Sequence, residues 1–489
     1  MLSMSLKFNK KDFEYDIYSL IRAFYPGSEI KIWYDGEEPP QGEYVYTYEM
    51  EYRPDSVMFA VGKEGSLIGS ETIVLSEGAQ RTDRKNQIKN LVYRTLVDIT
   101  GTELPWGNLT GIRPTKIPMR LLEEGKSNVE IARFMRETYG TSKEKTALAI
   151  ATANRERAIL KEIDYEQGYS LYVGIPFCPS ICLYCSFGSH VLKTWSHMVE
   201  PYLKALFQEL SFISEQMRGK TLDTIYIGGG TPTTLEADQL RRLLVHIQRE
   251  FPMEELKEFT VEAGRSDTIT REKLAVLKEF PVSRISINPQ TMNQETLDLI
   301  GRKHTVEDIR EKFWTARELG FDNINMDLIV GLPGEHKEQV AHTLEEMKKL
   351  DPDSLTVHSL ALKRATRLNL FKDQYEEISF ENSREIMQMT ESCAREMGMG
   401  PYYLYRQKNI AGNFENVGYA KLDKAGIYNI LIMEEKQTII AAGAGASTKF
   451  VFQHGERIER VENVKDLKNY VERIDEMLER KRDGIKKYL

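Results

Sequence analysis

The chain has 489 residues, 41% of them hydrophobic and 29% charged, with 66 basic against 74 acidic side chains. This is the composition of a soluble globular protein of two to four domains, and a net charge of −8 gives no bulk attraction to nucleic acid or to a membrane surface. No apolar run reaches about 18 residues, so no transmembrane span is expected; Met1–Asp16 lacks a signal-peptide core, and a cytoplasmic protein is expected.

Three regions follow one another. Residues 1–165 are expected to form an α+β accessory domain. Strand-like stretches run over Glu29–Tyr34, Glu43–Tyr52, Ser56–Val61 and Glu71–Leu75. From Arg84 the pattern turns helical and charged, and Ser142–Lys161, rich in Ala, Glu, Lys and Arg, predicts a helix.

Residues 166–370 alternate short apolar strands with amphipathic helices. The predicted strands are Ser170–Ile175, Thr224–Ile227, Glu258–Glu262, Arg284–Asn288, Asn323–Ile329 and Ser354–Leu360. Helical patterns between them include Met198–Met217, Leu235–Glu250 and His336–Lys349. Six such units predict an α/β fold with a parallel sheet, open or curved into a partial (β/α)6 TIM-like barrel. In that class functional groups gather at the C-terminal ends of the strands.

Residues 371–489 are expected to be a C-terminal α/β extension that covers the substrate. It opens on a helix, Asn382–Glu396. After Tyr- and Gly-rich loops come a strand at Thr438–Ala442 and a charged helix at Lys465–Lys487.

Three of the chain's four cysteines fall within eight residues: Cys178, Cys182 and Cys185, just after the first barrel strand. A C-x3-C-x2-C loop offers three thiolates, which suits a [4Fe–4S] cluster held at three irons with the fourth open. Two other readings stand beside it. His190 gives a Cys3His set for zinc, and Cys182–Cys185 is spaced as a redox pair. With so few cysteines, a disulfide framework is not expected.

Downstream, Ile225–Ile227 runs into Gly228, Gly229 and Gly230, then Thr-Pro-Thr. Such a run lets a ligand approach the backbone, although alone it reads more often as a turn. Glu262 and Asp327 each lie in or just after an apolar strand, where desolvating a carboxylate needs a reason.

The cysteine loop followed by the glycine run resembles the radical S-adenosylmethionine (SAM) enzymes. Tyr172-Val-Gly-Ile-Pro-Phe-Cys178 with Gly228-Gly-Gly-Thr-Pro-Thr233 is similar to the oxygen-independent coproporphyrinogen III oxidases and their relatives. The resemblance runs clearly over residues 170–335. The N-terminal region, with Leu109-Thr-Gly-Ile-Arg-Pro-Thr-Lys116, looks like the extra domain of a long branch of that family.

The resemblance implies that Cys178, Cys182 and Cys185 hold the cluster and that SAM chelates its open iron. It places Gly229 and Gly230 against the SAM methionine, and Glu262 and Gln290 on the ribose hydroxyls. It puts Arg302 on the methionine carboxylate, Asp327 near the cofactor, and Tyr172 in the active site as a catalytic candidate. The activity it implies is oxidative decarboxylation of coproporphyrinogen III to protoporphyrinogen IX through a 5′-deoxyadenosyl radical. The implied partners are a tetrapyrrole substrate and an electron donor such as flavodoxin or ferredoxin; a monomer is expected.

An anionic tetrapyrrole bound by an acidic chain needs a local basic pocket. Lys363-Arg364-Ala-Thr-Arg367 and Tyr402–Lys408 are the candidate runs. Decarboxylating members often carry a fourth Cys just past the loop and a His before the Ile-Pro-Phe; here those places hold Phe187 and Gly174. The haem-chaperone relatives carry a His-containing C-terminal motif, and the comparable stretch here, Tyr428–Met433, has no His. A haem chaperone, or another radical SAM enzyme acting on a tetrapyrrole such as a methyltransferase or a haem-degrading enzyme, would share every cofactor residue named.

Overall fold

The computed structural model describes residues 2–111, 113–186, 188–361, 366, 380–407, 414–452, 455 and 457–489. They divide into two compact units, one running to Ala151 and taking in Arg406, the other beginning at Thr152.

The first unit is built on a five-stranded sheet: β1 (Ser3–Phe8), β2 (Glu29–Tyr34), β3 (Tyr46–Tyr52), β4 (Ser56–Lys63) and β5 (Ser66–Val74), in the order β2-β1-β3-β4-β5. The inner strand β1 falls where the sequence predicts no element. Its Met4, Leu6 and Phe8 are fully buried, while Lys7 between them forms ion pairs with Asp35 and Glu49. That alternation is the period of a half-buried strand. The helices Glu14–Phe24 and Arg81–Thr100 close the core with Ile17, Leu20, Ile21, Ile88, Leu91 and Leu96. Arg406, in one of the runs expected to meet substrate, is buried here. Its guanidinium lies 5.8 Å from the Trp106 ring and donates to the Leu109 carbonyl at 2.6 Å.

The second unit carries the remaining strands: β6 (Tyr169–Ile175), β7 (Phe177–Cys178), β8 (His190–Val191), β9 (Leu222–Gly229), β10 (Glu258–Gly264), β11 (Arg284–Gln290), β12 (Ile324–Val330), β13 (Ser354–Ser359), β14 (Gly400–Tyr405), β15 (Asn416–Ala420), β16 (Thr438–Ala442), β17 (Ser447–Phe452) and β18 (Arg457–Glu462). Among the described residues β7 and β8 pair with each other, and the others form one sheet ordered β14-β15-β13-β12-β11-β10-β9-β6-β16-β17-β18. The six expected barrel strands are all present and run parallel as sequential neighbours from β6 to β13. Helices such as Val199–Gln216, Ala237–Glu250 and Lys337–Leu350 connect them, within two residues of expectation.

The residues expected to form the C-terminal extension continue this sheet at both ends. β15 joins β13 antiparallel, and β16 adds a seventh parallel strand beside β6. The N-terminal ends of the strands close over a buried polar layer. Arg284 is fully buried and donates to Ser354 Oγ at 3.1 Å, and Glu258 accepts from Thr260 Oγ1 at 2.8 Å and from the Ile427 amide.

Candidate active site

Each of the six barrel strands is buried along its length except at one position, with Gly229 a second in β9. The half-buried positions are Tyr172, Tyr226, Glu262, Asn288, Asp327 and His358. With helices on the outer face, an accessible position in such a strand faces the barrel interior. Three of the six, Tyr172, Glu262 and Asp327, are expected site residues; Tyr226, Asn288 and His358 were not anticipated.

The cysteine loop leaves the C-terminal end of β6 through β7. The glycine run lies directly against it. Gly230 donates its amide to the Ile175 carbonyl and Thr231 donates to the Phe177 carbonyl, both at 2.7 Å. A Cβ on Gly230 would stand 2.5 Å from the Phe177 oxygen, and Gly229 has φ +110°. The glycines are therefore required first by the protein's own backbone, which must pass close to the strand that carries Cys178. Thr231 reaches Cys178 Sγ at 3.5 Å.

Glu262 accepts a hydrogen bond from Tyr226. Burial raises its carboxyl to about 7, against the Tyr226 hydrogen bond and with a smaller push from Asp327. Asp327 accepts from Asn325 at 2.7 Å. Gln290 ends β11 with φ +68°, a left-handed backbone that few non-glycine residues adopt. Its side-chain Oε1 is buried without a hydrogen-bond partner. A left-handed backbone and an orphaned buried acceptor thus coincide in one residue. Arg302 is buried, donates to the Asn288 carbonyl and, at 3.1 Å, to the Tyr184 hydroxyl, and leaves its Nε without a partner. Burial opposes its charge, but Tyr184 and Cys182 hold it protonated.

A stack of three tyrosines crosses the interior. Tyr226 lies 4.5 Å from Tyr428 and 6.2 Å from Tyr172, ring centre to ring centre. Tyr428 starts the helix Ile427–Glu434, the stretch compared above with the chaperone motif. Beside the stack is a cavity of about 460 Å³. Its lining includes Tyr172, Gly174, Ser189, Gly229 and Gly230, together with Lys449 and Lys465. Lys449 and Lys465 are the basic side chains on this cavity. Lys363, Arg364, Arg367, Lys408 and Phe187 lie outside the described residues.

Three cysteines on one short loop are a donor set compatible with a [4Fe–4S] cluster, one thiolate to each of three irons. His190 pairs in register with Phe177 through its backbone, and its ring sits edge-on to Trp195 at 4.8 Å. Among the described residues no three Cys, His, Asp or Glu side chains converge on one metal position. The orphaned Gln290 oxygen, the unpartnered Arg302 Nε and the half-buried Glu262 carboxyl are the polar groups that the expected site residues leave in this region.

Comparison with known proteins accords with this geometry. Residues 172–347 match the radical SAM superfamily. The oxygen-independent coproporphyrinogen-III oxidase-like protein HemZ of Bacillus subtilis is 40% identical over 95% of this chain and 93% of its own length. The heme chaperone HemW of the same organism is 41% identical over 40% of this chain and 52% of its own. Among solved structures, the Escherichia coli coproporphyrinogen III oxidase HemN, described as a radical SAM enzyme, superposes with a TM-score of 0.52 and 26% identity. That match covers 66% of this chain and 73% of HemN.

Proposed function

The chain belongs to the radical SAM superfamily, among the oxygen-independent coproporphyrinogen III oxidase-like proteins, and from that premise we propose that it decarboxylates coproporphyrinogen III to protoporphyrinogen IX. The observation that carries the reading is that the cysteine loop, Gly230, Glu262, Gln290 and Asp327 lie on or directly after consecutive neighbouring strands of one parallel sheet, with Gly230 also lining the cavity beside the tyrosine stack.

In this reading Cys178, Cys182 and Cys185 hold a [4Fe–4S] cluster. Glu262 and Gln290 accept the ribose hydroxyls of SAM, and Arg302 meets its carboxylate. Cluster and SAM together supply one-electron cleavage of the sulfonium and a 5′-deoxyadenosyl radical able to take hydrogen from an unactivated C–H. The tyrosine stack presents flat apolar faces to a tetrapyrrole. Tyr172, whose hydroxyl is 3.4 Å from where a Cβ on Gly229 would stand, is then the tyrosine that lines the cavity beside the glycine run, and Lys465 with Lys449, the latter 3.7 Å from Glu435, would supply the cations for propionates.

Anaerobic incubation with SAM, a reductant such as reduced flavodoxin, and coproporphyrinogen III is expected to yield protoporphyrinogen IX with two 5′-deoxyadenosines per product. 5′-Deoxyadenosine without a vinyl product would remove this substrate and leave the radical chemistry standing. Haem binding is the second reading, favoured by His358, an imidazole in the interior ring. A Soret shift on haem titration that His358→Ala abolishes would support it, and no shift would remove it.

SAM binding is expected to depend on pH. Glu262 must be ionised to accept two hydroxyls, and its carboxyl titrates at about 7. Affinity should therefore rise with pH toward 7 and level off above it, weakening about tenfold per unit well below. Calorimetry from pH 6 to 8 on the reconstituted protein reads this. A flat profile, or one that Glu262→Gln leaves unchanged, sinks the role of Glu262.

A further inference from the structure

Arg265 is nearly fully buried just after β10, and its guanidinium divides its donors between two groups of acceptors. One group is the cysteine loop. Nη1 donates to the Ser180 carbonyl at 3.0 Å, to Ser180 Oγ at 2.9 Å and to Cys182 Sγ at 3.5 Å. The other is a carboxylate, with Nε and Nη2 gripping Asp267 at 3.0 and 2.7 Å. Behind Asp267 stands His304, its ring almost wholly buried and Nδ1 3.7 Å from the carboxylate. Burial opposes the Asp267 charge, yet His304 and Arg265 hold its carboxyl well below the usual range. The fork is therefore an ionised pair locked beside the Cys182 sulfur.

A loop that only needed tethering would be served by Ser180. It already donates its hydroxyl to the Gly301 carbonyl at 3.0 Å and receives Nη1 on both of its oxygens. The contact to sulfur goes beyond that need. An N–H···S bond and a buried positive charge beside a cluster ligand both stabilise the more negative, reduced state and so raise its potential. The Asp267 charge works in the opposite sense, because it offsets the guanidinium.

We propose that Arg265, gripped by Asp267, is a positioning residue that sets the reduction potential of the cluster held at Cys182. The inference rests on the cofactor reading above and not on the identity of the tetrapyrrole. Asp267 carries a negative charge directly behind the guanidinium, so the two residues shift the potential in opposite directions. That opposition separates tuning from tethering, since loosening the loop by either route would move the potential in one direction or not at all.

The test is an anaerobic redox titration of the reconstituted full chain, followed by electron paramagnetic resonance, for wild type, Arg265→Gln, Arg265→Lys and Asp267→Asn. Arg265→Gln is expected to make reduction about tenfold less favourable, 59 mV more negative for one electron. Arg265→Lys keeps the charge and should fall between Gln and wild type. Asp267→Asn should shift the potential the other way, to more positive values. Potentials equal to wild type in Arg265→Gln and Asp267→Asn, or shifts of the same sign in both, would overturn the proposal. Should Arg265→Gln fail to take up a cluster, the sign of the Asp267→Asn shift alone decides. A wild-type chain that takes up no four-iron cluster would remove the cofactor reading itself, and this inference with it.

Discussion

Cys182→Ala is expected to abolish 5′-deoxyadenosine formation, with a loss of at least about a thousandfold, or ~4 kcal/mol of barrier. Cys182 is buried, and its Sγ is the sulfur that Arg265 reaches. Alanine removes one sulfur and little volume, so the loop should keep its fold while losing a ligand. Cys393 provides the internal control. It is buried on the helix Arg384–Glu396, its thiol pushed up to about 11 by burial, and its Sγ donates to the Leu344 carbonyl at 3.6 Å. Cys393→Ala should cost about 1 kcal/mol of stability and leave iron content and SAM cleavage at the wild-type level. Iron and sulfide per chain, with 5′-deoxyadenosine measured chromatographically, read both variants. A Cys182→Ala protein that still cleaves SAM at the wild-type rate would sink the assignment of the triad.

The barrel was legible in the sequence because each of its strands is a short apolar run buried on both faces, bounded by amphipathic helices. What was not legible is pairing over distance. Thr438–Ala442 reads as a strand, but nothing in it tells that it lies beside Tyr169–Val173. The antiparallel strands β14 and β15 lie within Tyr- and Gly-rich sequence, and β17 and β18 are short and carry Lys, Arg and Glu, so none of the four has a clear strand signal. β1 was hidden by its charged setting, although Met4, Leu6 and Phe8 alternate plainly.

At the site the motifs identified residues better than reasons. Gly230 was singled out for ligand approach, whereas its nearest neighbour is the Phe177 carbonyl. Tyr226 could have been found from its place between Ile225 and Ile227, opposite Tyr172 in the parallel register. Tyr428, about two hundred residues on, carries no local signal; only the fold brings it onto Tyr226. Arg265 follows Glu262 by three residues, and nothing in the local sequence separates it from an ordinary surface arginine. Its burial and its contact with Cys182 are properties of the tertiary structure.

Lys481→Met is expected to destabilise the chain by about 3–5 kcal/mol. Lys481 and Glu209 form an ion pair at 3.0 Å with both side chains completely buried. Glu209 also accepts from Tyr470 at 2.6 Å, from Asn463 at 2.7 Å and from the Gly443 amide at 2.8 Å. Methionine matches the lysine stem in volume and removes only the charge, which leaves Glu209 buried without its cation. Breaking one side of such a pair is costly, while replacing both sides often is not. The double variant Glu209→Gln/Lys481→Met should therefore recover much of the loss. Urea unfolding of both variants followed by circular dichroism measures this, and equal stabilities for the single and double variants would sink the argument. The network also reaches the site. Gly443 directly follows β16 with φ +110°, packed where a Cβ would meet the Tyr202 hydroxyl and the Gly174 carbonyl. The residues after it, Ala444 to Ser447, line the cavity. Lys481→Met should thus loosen the cavity rim as well as the C-terminal helix, and SAM cleavage should fall while iron content is retained.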